Sequence, residues 1–170
     1  MKKLTVLSIC LLAFFGMASA QQQTEKPKLY NPEADAAKDI QAAVSRAAKE
    51  NKHVLLQMGG NWCVWCLRFD QFVKNDPQLD SIVKANYVVY HLNYSKENEN
   101  TEIFAKYGYP QRFGFPVFVV LDAKGNRIHT QNSVYLEEGS SYNKKVVMGF
   151  FNDWSPAALD PKKYEKRKTN

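Results

Sequence analysis

The chain has 170 residues, 45% of them hydrophobic, and a formal net charge of +6; that size suits one domain with a moderate core, not several. Much of the basic excess sits in the last stretch, PKKYEKRKTN, and no basic helix or aromatic platform stands in register elsewhere. Nucleic acid is therefore excluded as a partner, and the tail reads as a solvated segment with weak attraction, if any, to an anionic membrane surface.

The N-terminus, MKKLTVLSICLLAFFGMASA, has Lys2 and Lys3, then an apolar run, then the small-residue ending Ala18-Ser19-Ala20. This pattern predicts a secretory signal peptide over residues 1–20, cleaved after Ala20, and the apolar run is short for a membrane span. A retained N-terminal anchor is the alternative. Lipidation at Cys10 is disfavoured, because the apolar run continues past it and Ile9 is not the small residue that a lipobox requires. Removal of Lys2 and Lys3 lowers the charge from +6 to +4 and leaves an exported chain that is not integral to the membrane. Cys10 leaves with the signal, so Cys63 and Cys66 alone remain in a compartment where disulfides persist.

Residues 21–33 read as a polar lead-in, with Pro27 and Pro32 opposing helix. From Ala34 the pattern turns helical: Ala36, Ala37, Ile40, Val44, Ala47 and Ala48 predict an amphipathic helix ending near Asn51. HVLLQM, residues 53–58, predicts a strand punctuated by Gly59-Gly60, and Leu67, Phe69, Phe72 and Val73 fit a helix beginning within the cysteine pair. A short helix comes next from Asp76-Pro77, then a second buried strand over YVVYHLNY, residues 87–94, and a helix from Asn100 to Tyr107. Val117 to Leu121 and Arg127 to Gln131 form a hairpin about a turn at residues 123–126. The polar stretch HTQNSVYLEEG, residues 129–139, reads as a solvated loop, with a partner-lining role as the alternative. A closing helix over SYNKKVVMGFFNDW is expected to bury Val146, Val147, Phe150, Phe151 and Trp154. The order of elements predicts an α/β domain over residues 34–155, a mixed sheet with helices on both faces, and a basic tail over residues 156–170.

The chemistry is concentrated in GGNWCVWCLRFD, residues 59–70. Structural zinc needs about four Cys or His ligands, whereas the mature chain offers one pair of cysteines and the scattered His53, His91 and His129. Haem attachment requires histidine after the second cysteine, where Leu67 stands. A bridge closing so short a loop constrains the unfolded chain little, so it is a poor staple. A redox pair wants this arrangement: at a helix start, free N–H groups and the dipole stabilise a Cys63 thiolate, and Cys66 lies close enough to attack a mixed disulfide at Cys63. Trp62 and Trp65 flank the pair, as shields against water or as ordinary packing and partner-facing surface.

These residues resemble the thioredoxin superfamily, and more narrowly its secreted bacterial thioredoxin-like, disulfide-isomerase-like members. The resemblance rests on HVLLQMGGNWCVWC, on FAKYGY followed by FGFPVFVVLDAKGN, and on the closing FFNDW, and it covers roughly residues 34–155. It implies Cys63 as attacking thiol, Cys66 as resolving thiol and Pro116 as a cis-proline lying against the disulfide. It also implies a substrate contact at Phe115, whose backbone would pair with an extended substrate segment, and places Trp62 at the family's tryptophan position; Trp62 and Trp65, as partner-facing apolar surface, are further candidate substrate contacts. Three departures stand out. Gln57 occupies the position of a buried aspartate that serves many thioredoxins as proton acceptor; His91 falls where a lysine is common, either as a titratable group or as a packed strand residue; and Val64-Trp65 between the cysteines lacks the histidine of more oxidising relatives, which favours a reducing or isomerising role.

The motif and the resemblance together imply a periplasmic thiol-disulfide oxidoreductase without cofactor or metal, acting on protein or peptide thiols and disulfides. As a reductant outside the cytoplasm it would need an electron-donating membrane partner. Two rivals from other classes are a thioredoxin-fold chaperone or peptide-binding module without turnover, and a carrier of a soft metal ion through both thiolates.

Overall fold

The computed structural model describes residues 28–165. The expected signal peptide, the first part of the lead-in and the last five residues of the basic tail lie outside that range. The first helix, α1 (Ala36–Glu50), buries Ile40, Ala43, Val44 and Ala47 along one side. It begins at Asp35, whose carboxylate accepts from Lys38 N, and stops at Asn51, which adopts a left-handed conformation with φ 53°. The strand β1 (His53–Gly59) comes at once after it and is buried along its whole length.

The helix α2 (Val64–Asn75) starts between the cysteines, and α3 (Pro77–Asn86) starts at Asp76, whose side chain accepts from Gln78 N and Leu79 N. Then come β2 (Tyr87–Asn93), α4 (Thr101–Lys106), β3 (Val117–Leu121) and β4 (Arg127–Asn132). The sheet runs β2-β1-β3-β4, parallel between β1 and β2 and antiparallel elsewhere. A two-stranded ribbon of β5 (Glu137–Glu138) and β6 (Ser141–Tyr142) leads into α5 (Lys144–Asp153), and one helical turn, α6 (Lys162–Glu165), ends the described chain.

Because β1 and β3 are central, their alternating side chains build two cores. One face packs Leu56, Met58, Val119 and Leu121 against α1 and α4. The other packs Leu55, Phe118 and Val120 against α2, α3 and α5, with Phe69, Phe150 and Phe151 filling the layer. The expected mixed sheet with helices on both faces is thus the observed architecture.

Three local expectations change. The strand β2 is at the sheet edge, so Val89 is exposed and Tyr90 and His91 are half-buried, where a buried strand was expected. In α5, Val147, Phe150 and Phe151 face the core, but Val146 points outward and Trp154 is half-buried, stacked on His129 at 4.0 Å. The stretch 129–139 is not a solvated loop: it continues β4, makes a 3-10 turn over Ser133–Leu136 that buries Leu136, and enters the ribbon.

Candidate active site

Cys63 is the N-cap of α2, in extended conformation (φ −88°, ψ 100°), and its Sγ accepts from Cys66 N at 3.2 Å. The two cysteines form a disulfide with Cα atoms 5.2 Å apart. Cys63 retains 5% exposure and Cys66 none, so an incoming thiol or disulfide reaches Cys63 first. On reduction, the N–H of Cys66 and the positive end of the helix dipole would face the Cys63 sulfur, the arrangement that lowers a thiol pKa.

The second wall comes from the segment entering β3. Gly114 has φ 82°, a conformation suited to glycine, and the Phe115-Pro116 peptide bond is cis. Since Met58 pairs with Val117 across β1 and β3, Pro116 lies at the same end of the sheet as the disulfide. Phe115 packs on the cysteine cluster and stacks on Tyr94 at 4.9 Å. Trp62 meets Phe115 edge-on at 5.6 Å, anchors its indole N–H on Tyr94 O at 2.7 Å, and keeps 57% of its surface exposed.

Trp65 packs on the same cysteine cluster from another side. It is half-buried, edge-on to Tyr142 at 5.5 Å, with the Arg68 guanidinium 4.6 Å from its ring centre, and Tyr142 OH donates to its carbonyl at 2.9 Å. Among the sequence-derived residues, then, Cys63, Phe115 and Trp62 adjoin one another, Cys66 is enclosed with Cys63, and Trp65 packs on the same cluster from the ribbon side.

Behind the cysteines is a polar layer. Gln57 is buried, and its Nε2 donates to Cys66 O at 3.0 Å and to Tyr30 OH at 2.9 Å. Across the sheet Gln57 pairs with His91, whose Nε2 lies 3.3 Å from Asp70 Oδ1, an ion-pair approach without hydrogen-bond geometry. Asp70 also holds Lys74 at 2.9 Å. Burial pushes the Asp70 carboxyl up, but His91 and Lys74 together outweigh it and hold the group below the usual carboxylate range. Gln57, Asp70 and His91 line a cleft of about 180 Å³ with Val73, Val83 and Val89.

A family model described as thioredoxin-like matches residues 35–123, more than half of the chain. The chain belongs to the thioredoxin-like family. No curated protein matches the sequence. Among solved structures, a disulphide isomerase from Xylella fastidiosa Temecula1 is similar with TM-score 0.66 and 23% identity, over 76% of this chain and 97% of that one. A thioredoxin from Thermus thermophilus is similar with TM-score 0.50 and 20% identity, over 66% of this chain and 81% of the other. The DsbH oxidoreductase is similar with TM-score 0.50 and 20% identity, over 78% and 90%. At these identities the likeness concerns the fold, and it agrees with the thioredoxin-like sheet described above.

Tyr30, Asp70, Tyr94 and Tyr142 complete the surroundings of this thioredoxin-like site, and the sequence motifs do not single them out. Asp70 is four residues after Cys66 on α2, so helical spacing places it on the same side. Tyr30 carries no such signal, because its partners Gln57 and Asn61 are 27 and 31 residues away.

Proposed function

We propose that this thioredoxin-like protein is a thiol-disulfide oxidoreductase that reduces or isomerises disulfides of exported proteins or peptides. The observation that carries the reading is the Cys63-Cys66 disulfide at the first turn of α2, with Cys63 facing outward and Cys66 enclosed. The Cys63 thiolate attacks a substrate disulfide, one substrate sulfur leaves as a thiolate, and a mixed disulfide forms at Cys63. The Cys66 thiolate then attacks Cys63 Sγ, the protein disulfide forms, and the second substrate sulfur leaves with the bonding pair and takes a proton from water.

In this reading Phe115 and Pro116 form the edge beside which the substrate segment lies, and Trp62, Trp65 and Phe115 contact it. The exposed Trp62 next to Phe115 supports an apolar docking surface. The site needs no cofactor. Among the described residues no helix is long and apolar enough to cross a membrane; the N-terminal pattern supports export to the periplasm, where a membrane-embedded electron donor would keep the pair reduced for reductase work. The Val64-Trp65 dipeptide, without histidine, favours reduction or isomerisation over oxidation.

The test is covalent trapping. Cys66→Ser incubated with a disulfide-containing peptide accumulates a mixed disulfide at Cys63, identified by mass, which dithiothreitol releases. Cys63→Ser gives no such adduct at residue 63 and no catalysed exchange. Catalysed exchange by Cys63→Ser at the wild-type rate would end the enzyme reading; peptide binding without exchange in the wild type would turn it into a binding module.

A further inference from the structure

Tyr30 takes no part in the exchange steps above, yet it is fully enclosed next to them. It belongs to the segment ahead of α1 and is held there by Asn61, whose Oδ1 accepts from Tyr30 N at 3.0 Å and whose Nδ2 donates to Tyr30 O at 2.7 Å. Its ring packs in one cluster with Cys63 and Cys66 and meets His91 edge-on at 5.5 Å. A side-chain carbon added at Gly59 would overlap Cys66 Sγ and stand 3.1 Å from the Tyr30 hydroxyl, so sulfur and hydroxyl border the same glycine.

The hydroxyl accepts from Gln57 Nε2. Both amide hydrogens of Gln57 are committed, one to Tyr30 and one to Cys66 O, and among the described residues no acceptor takes the tyrosine's own proton in the disulfide state. A disulfide sulfur accepts weakly; a thiolate accepts strongly. Asp70 and Lys74 from α2, His91 from β2 and Tyr142 from β6 are the other titratable groups around this pocket, and the negative charge of Asp70 opposes a second anion there.

We propose that the Tyr30 hydroxyl donates a hydrogen bond to the Cys66 thiolate and so prepares the resolving thiol, in a layer where the Gln57 amide cannot take a proton. The proposal rests on the thiol-disulfide reading of the pair. In the resolving step the Cys66 thiol releases its proton to water, and the thiolate, held by Tyr30, attacks Cys63 Sγ. The Cys63-Cys66 bond forms, the Cys63-substrate bond breaks, and the substrate sulfur leaves with the electron pair and is protonated by water. Tyr30 keeps its proton throughout. Burial pushes its own ionisation far above the ordinary tyrosine range, so it serves as donor and not as base.

The test isolates Cys66 as the single thiol in a Cys10→Ser/Cys63→Ser background and titrates it by thiolate ultraviolet absorbance, with and without Tyr30→Phe. Loss of the hydroxyl raises the midpoint by about one unit or more. In the otherwise unsubstituted chain, Tyr30→Phe slows resolution of the mixed disulfide about tenfold at neutral pH and leaves the first attack by Cys63 unchanged. An unchanged midpoint overturns the proposal. An independent measurement on the unsubstituted chain is the reduced-minus-oxidised infrared difference spectrum with ring-labelled tyrosine: the hydroxyl of Tyr30 moves to donor status on reduction, and a spectrum without a tyrosine band overturns the assignment. A wild-type protein without exchange activity would defeat the functional reading, while the Cys66 titration would still decide the role of Tyr30.

Discussion

At Asp70, burial and the neighbouring His91 and Lys74 pull the carboxyl in opposite directions, and the two partners prevail. Its folded pKa therefore lies below the unfolded value of about 3.9, which makes the ionised form the one that the fold prefers. The stability this contributes is complete above the unfolded pKa and is lost as pH falls through the folded one. Asp70→Asn is expected to lower stability above about pH 5 and to approach the wild type as pH falls toward about 2; urea unfolding at a series of pH values measures the difference. A pH-independent difference would mean that packing, not charge, is what Asp70 supplies. Legibility at this scale depends on sequence distance. Cys63, Cys66 and Phe115-Pro116 announce themselves in short local patterns, and Trp62 stands next to its cysteine. Tyr30 acts through contacts 27 and 31 residues away, and nothing near it in the chain points to them.

At the scale of elements, Asn143 ties the ribbon and the turn before it to α5. Its Oδ1 caps α5 by accepting from Val146 N at 3.1 Å, its Nδ2 donates to Glu138 Oε1 at 3.0 Å, and its backbone N donates to Leu136 O at 2.8 Å. Asn143→Ala is expected to cost about 1 kcal/mol and to lower Tm by about 3 °C. Asn143→Asp keeps the cap but sets a carboxylate against Glu138, so it recovers part of the loss; calorimetry of the three proteins gives the order. The main helices and strands are readable because caps and periodicity agree: Asp35, Asn51 and Asp76 bound helices where the apolar spacing begins and ends. The ribbon and the turn before it are not readable, since strands of two residues carry no alternation and the buried Leu136 and Tyr142 sit among polar neighbours. Val146 is expected in the core and found outside it because a run of two valines fixes a helix but not which of them faces inward.

For the whole molecule, the sheet order places the disulfide, the Phe115-Pro116 segment and the Tyr30 segment at one end of β1 and β3, although they are distant in sequence. A helix-and-strand string alone does not specify that convergence; the resemblance implies the approach of Pro116 to the disulfide, whereas the Tyr30 segment lies outside the residues it covers. The convergence also explains why the polar layer behind the cysteines differs from the expectation without disturbing the front: Gln57, Tyr30, Asp70 and His91 occupy the back of the pair, while Cys63, Trp62 and Phe115 face outward. Whether this disulfide is exchanged or merely structural is decided most directly by the reduction potential of the Cys63-Cys66 pair. Equilibration with glutathione buffers, read by tryptophan fluorescence from Trp62 and Trp65, is expected to give a value between about −120 and −270 mV, the range of catalytic dithiols. A value below about −300 mV, typical of structural disulfides, would contradict an exchange role for the pair.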